Sequence, residues 1–132
     1  VQKRNKGGII KQKEKLMSTH CALGVKMKDG SISGCYVHYD GYEEHMLPAI
    51  KAFVEDNTTT ALYILISKAA EVGGIRSFHS PGPYSEPKTD FLDDNTPYRI
   101  TKENWNEDHM GTFAWYLVDY MTGDVEMRNS HG

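Results

Sequence analysis

The chain predicts an α+β fold: an antiparallel sheet built from N- and C-terminal hairpins, with two helices packed on one face. Three observations carry this. Asp29-Gly30 sits between two alternating, strand-like runs. Two helical patterns follow in the middle of the chain. A second alternating aromatic run turns at Thr122-Gly123 and returns to the C-terminus.

The first hairpin joins His20 to Lys28 with Ser31 to Tyr39. Asp-Gly favours a two-residue type I′ turn, because both central residues take positive φ. That turn sets Lys28 against Ser31, Met27 against Ile32, Val25 against Gly34, Leu23 against Tyr36 and Cys21 against His38. Cys21, Leu23, Val25, Met27, Ile32, Tyr36 and His38 then form the core face, with Lys26, Lys28, Ser31 and Ser33 on the other. His38 falls at the core edge, beside Cys21.

The first helix follows from Met46, Leu47, Ile50, Phe53 and Val54, which recur at helical spacing. Pro48 is tolerated only near a first turn, so regular helix is expected from about His45 to Leu47, with Glu43 and Glu44 close to its N-terminal dipole. Asp56-Asn57 breaks it. Thr58 to Thr60 cap a second helix, Ala61 to Val72, which Gly73-Gly74 ends.

Ile75 to His79 reads as a short strand, and the proline-rich stretch Ser80 to Pro97 as a surface loop. A strand at Tyr98 to Ile100 and a helical turn near Lys102 to Asp108 follow. Thr112 to Tyr120 alternates Phe113, Trp115 and Leu117 against Ala114, Tyr116 and Val118, and Asp124 to Arg128 completes the second hairpin.

Length bounds the organisation to one domain with a tail: 132 residues, 39% of them aliphatic or aromatic. The net charge of −3 hides an asymmetry. Residues 1–16 carry Lys3, Arg4, Lys6, Lys11, Lys13 and Lys15 against Glu14 alone, whereas residues 17–132 are acidic. The tail reads as a basic arm, or as sequence upstream of a start at Met17, where Lys13-Glu14 can be encoded as a ribosome-binding sequence.

The longest apolar run, Ala61 to Ile66, is far too short for a membrane span. No secretory signal is expected, since the basic N-terminus leads into polar residues. Cys21 and Cys35 do not form a disulfide framework, and on the register above they point to opposite faces. His79 and His109 are expected in solvent, and Trp105 and Trp115 in packing.

The run Tyr36-Val37-His38-Tyr39-Asp40-Gly41-Tyr42-Glu43-Glu44-His45 concentrates the polar chemistry. Three readings compete. His38, Asp40, Glu43, Glu44 and His45 supply ligand types for a metal or hydrolytic site, with His38, Asp40 and His45 as catalytic or metal candidates. Their spacing matches no established motif, and neither a stoichiometric metal nor another cofactor is expected. A Cys21–His38 nucleophile dyad lacks an orienting third group. In the structural reading, Asp40-Gly41 turns the chain sharply out of its strand, Asp40 bonds backbone N–H groups, and Tyr36 and Tyr42 cover the helix start. In the third reading, Tyr36, His38, Tyr39, Asp40, Tyr42, Glu43 and Glu44 form a binding surface.

These residues carry one resemblance. A strand ending in Tyr-x-His-(Trp/Tyr)-Asp-Gly-Tyr, after a hairpin with an Asp/Asn-Gly turn, resembles a family of small bacteriophage proteins of unknown function. The family commonly ends in an aromatic hairpin such as Phe113 to Asp119. The likeness spans about Ser18 to Phe78 and Phe113 to Met127. Tyr39 stands where Trp is common and Glu43 where Pro is common. The resemblance implies a phage origin and the cytoplasm of an infected bacterial host, and lends no reaction.

The functional expectation is therefore a small, non-enzymatic accessory protein that modulates a host macromolecule. Its acidic body suits a basic face on a host protein and disfavours direct nucleic-acid binding. The alternatives are a small metal-assisted or acid–base enzyme centred on His38 and Asp40, and a binder of a small anionic ligand such as a signalling nucleotide. The latter would use helix N–H groups near Met46 with Arg76 or Arg99.

Overall fold

A computed structural model describes residues 18–79 and 89–130. The basic tail, Met17 and the first part of the proline-rich loop lie outside the described residues. The order of elements is β1 (His20–Lys26), β2 (Ile32–Tyr39), α1 (Glu43–Asp56), α2 (Thr59–Glu71), β3 (Ile75–Ser77), β4 (Asp90–Phe91), β5 (Thr112–Asp119) and β6 (Val125–Asn129). The fold is α+β, as the sequence predicts.

The sheet is mixed, not antiparallel throughout. Its order is β4-β3-β2-β1-β5-β6. Both expected hairpins, β1–β2 and β5–β6, are antiparallel. They lie side by side with β1 parallel to β5, and β3 joins parallel to β2. The cause is the connections. Two successive helices return the chain to the sheet running in the direction it left, as a crossover does. Hairpin counting alone misses this.

The register of the first hairpin also differs, by one residue. Cys21 pairs with Val37, Leu23 with Cys35 and Val25 with Ser33. The turn is one residue longer than expected. Gly30 N donates to Met27 O at 2.9 Å and Met27 N to Ser31 O at 2.8 Å, with Gly30 at φ 89°. This is a three-residue loop, Lys28-Asp29-Gly30, with glycine alone in the left-handed region. Asp29 holds it from within, accepting from Ser31 N at 2.9 Å.

Because side chains alternate, that slip exchanges the faces of all of β2. Cys35 and Val37 turn inward and share a face with Cys21, Leu23 and Val25. Tyr36 and His38 turn to the opposite face. Ala114, Tyr116 and Val118 of β5 complete the inner face, which buries Met46, Ile50 and Phe53 of α1 and Leu62 and Ile66 of α2. Both helices thus cover one face, as expected.

α1 starts at Glu43, earlier than predicted, with Tyr42 as N-cap. Pro48 therefore lies in the second turn. It and Glu44 are exposed, so water satisfies the Glu44 carbonyl that loses its helical donor. α2 is capped as predicted: Thr58 Oγ1 accepts from Ala61 N at 2.9 Å. Gly74 N closes its end on Ala69 O at 2.8 Å.

Opposite the helices lies an open face, crossed by one strap of chain. Gly24 and Gly34 are cross-strand partners. A Cβ on Gly24 would stand 2.8 Å from Trp105, and one on Gly34 3.1 Å from Ile100. Two facing glycines thus leave room for residues 98–105 to lie directly on the backbone. Ile100 bridges Gly34 with hydrogen bonds of 2.8 and 3.1 Å. Tyr98 to Ile100 is this bridge and not a strand, and residues 102–107 form turns in place of a helical turn. Ala22, Ile100, Trp105 and Trp115 make a second, smaller core beneath the strap.

Candidate functional site

Hollows of the open face lie on either side of the strap, and two of them are the largest described. The one nearer β3 and β4 has a volume of about 430 Å³, and its walls include His20, Tyr36, His38, Leu92, Asp94 and Tyr98. Thr96 and Met110 form part of the rim.

The corrected register builds its floor. Extending the β1–β2 pairing sets His20 opposite His38, where the sequence reading had Cys21. The two imidazoles stack at 4.9 Å with 16° between their planes. His20 Nδ1 lies 2.6 Å from the His38 carbonyl oxygen. A carbonyl only accepts, so the imidazole donates from Nδ1, and Nε2 of the neutral ring keeps its lone pair. His38 Nδ1 is 2.8 Å from the Tyr36 hydroxyl.

Burial, then His20 and then Arg76 hold the His38 imidazolium below the ordinary histidine range. Burial pushes the Tyr36 phenol up to about 12. His38 and Tyr36 are therefore both neutral at physiological pH. A second tyrosine–histidine pair stands in the far wall. The Tyr98 hydroxyl is 2.8 Å from His109 Nδ1. His109, expected in solvent, is instead 1% exposed, and its Nε2 has no hydrogen-bond partner.

Asp94 supplies the carboxylate. Its Oδ1 accepts from Thr96 N at 2.9 Å, and a Cβ at Gly73 would overlap its carboxyl group. Gly73 (φ 95°) thus makes room for it. Asp93 (φ 63°), Asn95 (φ 64°) and Met110 (φ 58°) are three of the four non-glycine residues with positive φ among the described residues. All three lie in or next to the walls of this hollow. For asparagine and aspartate the left-handed region is tolerated; for methionine it is strained, by about 1–2 kcal/mol.

The other hollow, about 500 Å³, is larger, and Trp105, Trp115, Leu117 and Arg128 line it. Its arginine is engaged within the fold: the guanidinium carbon lies 3.8 Å from the Trp115 ring centroid, and Nη2 donates to Asn106 Oδ1 at 3.0 Å. None of the four non-glycine residues with positive φ is among the residues lining it.

The residues singled out in the run 36–45 are divided between two faces. Tyr36 and His38 enter the hollow. Tyr39 leans on His38, with ring centroids 4.4 Å apart, but is not among the residues lining it. Asp40 adopts φ 59° at the corner, and among the described residues its carboxylate makes no hydrogen bond. Gly41 makes the corner: its N donates to Thr19 O at 2.8 Å, and its carbonyl accepts from the Tyr116 hydroxyl at 2.8 Å.

Tyr42 caps α1 with its backbone, and Glu43 and Glu44 are exposed in the first turn. His45 faces the other way, donating from Nε2 to Phe78 O at 2.8 Å beside the ring of His79. So His38, Asp40 and His45 do not converge. Among the described residues no group of three or more His, Cys, Asp or Glu is arranged to hold a metal ion.

The Cys21–His38 dyad is excluded by geometry, since the two side chains lie on opposite faces of the sheet. Cys21 and Cys35 share the buried face, contrary to expectation, and both are free. Burial pushes both thiols well above their ordinary range, so neither is a nucleophile at neutral pH.

Arg76 and Arg99, the cations expected to hold an anion, are both paired. Arg76 meets Asp90 at 3.4 Å and donates to Leu92 O, and Arg99 pairs with Glu71. Neither lines the hollow.

The sequence reading missed His20, Asp94, Tyr98 and Met110. A signal existed for His20: a three-residue loop with glycine last sets it opposite His38. None existed for the others, which come from aperiodic chain. No protein-family model, curated protein or solved structure matches the chain.

Proposed function

We propose that the protein is a non-enzymatic binding module, a small bacteriophage accessory protein that modulates a host macromolecule, and that it binds through the cleft between the strap and β3–β4. One observation carries the choice of surface. Left-handed backbone gathers around this cleft, at Asp93, Asn95 and Met110, and at Met110 it is strained. Strain persists where the surrounding structure enforces it, and it clusters at ligand-holding sites. Tyrosine walls and an imidazole floor suit a contact surface. Among the described residues no helix is long and apolar enough to cross a membrane.

Affinity capture from bacterial lysate tests this reading. The wild-type protein retains a partner that Tyr98→Leu loses and that Lys68→Ala, on α2, keeps. Equal retention by Tyr98→Leu contradicts it.

A small acid–base enzyme is the second reading. What favours it is His20, whose Nδ1 bond leaves Nε2 as a free base in a cleft. Asp40, which the sequence reading paired with His38, lies outside that cleft.

A further inference from the structure

We propose that this cleft receives a cationic side chain, the guanidinium or ammonium of an arginine or lysine on the partner protein. The inference rests on the cleft being the binding surface and names the chemistry that fills it.

Two of the polar atoms left over at the cleft are acceptors. With Nδ1 committed to the His38 carbonyl, His20 offers a lone pair at Nε2. Asp94 spends Oδ1 on Thr96 N and retains Oδ2. These are acceptors, and guanidinium and ammonium groups are donors with no acceptor. Charge agrees. Among the described residues no lysine or arginine lines the cleft, and Asp94 does. Arg76, the cation near His38, is paired with Asp90. Behind Tyr98 stand Glu107 and Asp108, close enough to raise its phenol further after burial has done so.

The walls add a third term. Tyr36 and Tyr98 flank the same volume, and a cation against tyrosine is attracted by the ring quadrupole. An anion would meet Asp94, with no lysine or arginine among the described lining residues to offset it. The acidity of residues 17–132 extends the same preference to the partner's surface.

The test is an NMR titration of the full chain with three probes: N-acetyl-argininamide, the corresponding glutamate amide and the phenylalanine amide. The His20 and His38 imidazole and Tyr36 and Tyr98 ring resonances report on the cleft. The arginine probe should shift them saturably and the other two should not. Asp94→Asn, which keeps the acceptor for Thr96 N, should weaken the arginine probe by about three- to tenfold. Thr96→Lys, placing a cation at the exposed rim, should abolish its binding.

If the phenylalanine or glutamate probe shifts the cleft and the arginine probe does not, the cation assignment is wrong while the cleft stands as a binding surface. If no probe shifts it, the assignment is wrong. If Tyr98→Leu also captures partners as well as wild type, the choice of cleft fails with it.

Discussion

Asp40 and Gly41 divide the work of one corner, and the division differs from what their chemistry suggests. An aspartate before a glycine reads as a side-chain-capped turn, yet the carboxylate bonds nothing among the described residues. The position asks Asp40 for φ 59°, which aspartate tolerates but glycine adopts more readily. Asp40→Gly should therefore be neutral or stabilising, by up to about 1 kcal/mol after the added chain entropy is counted. Gly41 is the opposite case. A Cβ there would stand 2.8 Å from Cys21 Cβ and from Thr19 O. Gly41→Ala should cost about 1–3 kcal/mol through overpacking. Urea denaturation of the two variants decides it: the reverse order of stabilities would mean that the Asp40 carboxylate holds the corner.

His38 makes a second prediction at this scale, in pH. Its native proton affinity lies below that of the unfolded chain, chiefly because of burial. The folded state then binds fewer protons, so this contribution to stability is full above the unperturbed histidine pKa of about 6.5. It is lost as pH falls through the lowered native value. The melting temperature should drop on acidification from about pH 7 to pH 5, and His38→Gln should drop less, because it has no such proton to gain. An identical slope in the variant would show that His38 is not held neutral.

Among the elements, the strap is the one that the sequence conceals. The strands and helices announce themselves by alternation, by the Thr58 cap and by the Gly73-Gly74 stop. Residues 92–111 have no period, because they are stabilised by lying on other elements. Gly24 and Gly34 look like strand weaknesses in isolation, yet they form the seat on which Trp105 and Ile100 rest. Gly24→Val should displace Trp105, which a Cβ already approaches to 2.8 Å. The tryptophan emission should shift red as the indole gains water, and Gly24→Ala should do so less. An unchanged spectrum in the valine variant would mean that the strap is not seated there.

The mixed sheet was hidden for a related reason. Hairpins are local and their turns can be read, whereas the β1–β5 and β2–β3 joins depend on how long connections return. Even the local reading slipped by one residue at Asp29-Gly30, and that moved His38 and Tyr36 from the core face to the open one. Of the candidate site, Tyr36 and His38 are thus legible as residues sharing a face, but the sequence assigns them the wrong face. Asp94 and Tyr98 come from chain whose placement only the tertiary fold determines.

For the whole molecule, the account divides the protein into a helix-covered face that stabilises it and a strapped face that binds. Each face offers an exposed apolar residue at which this division can be probed. Met110, 55% exposed, stands at the rim of the cleft, and Ile64, 47% exposed, lies on α2. The most direct measurement replaces each in turn with benzoylphenylalanine and irradiates the protein in bacterial lysate. The account predicts a discrete cross-linked species from position 110 and none from position 64. Cross-linking from position 64 alone, or the same species from both positions, would contradict it.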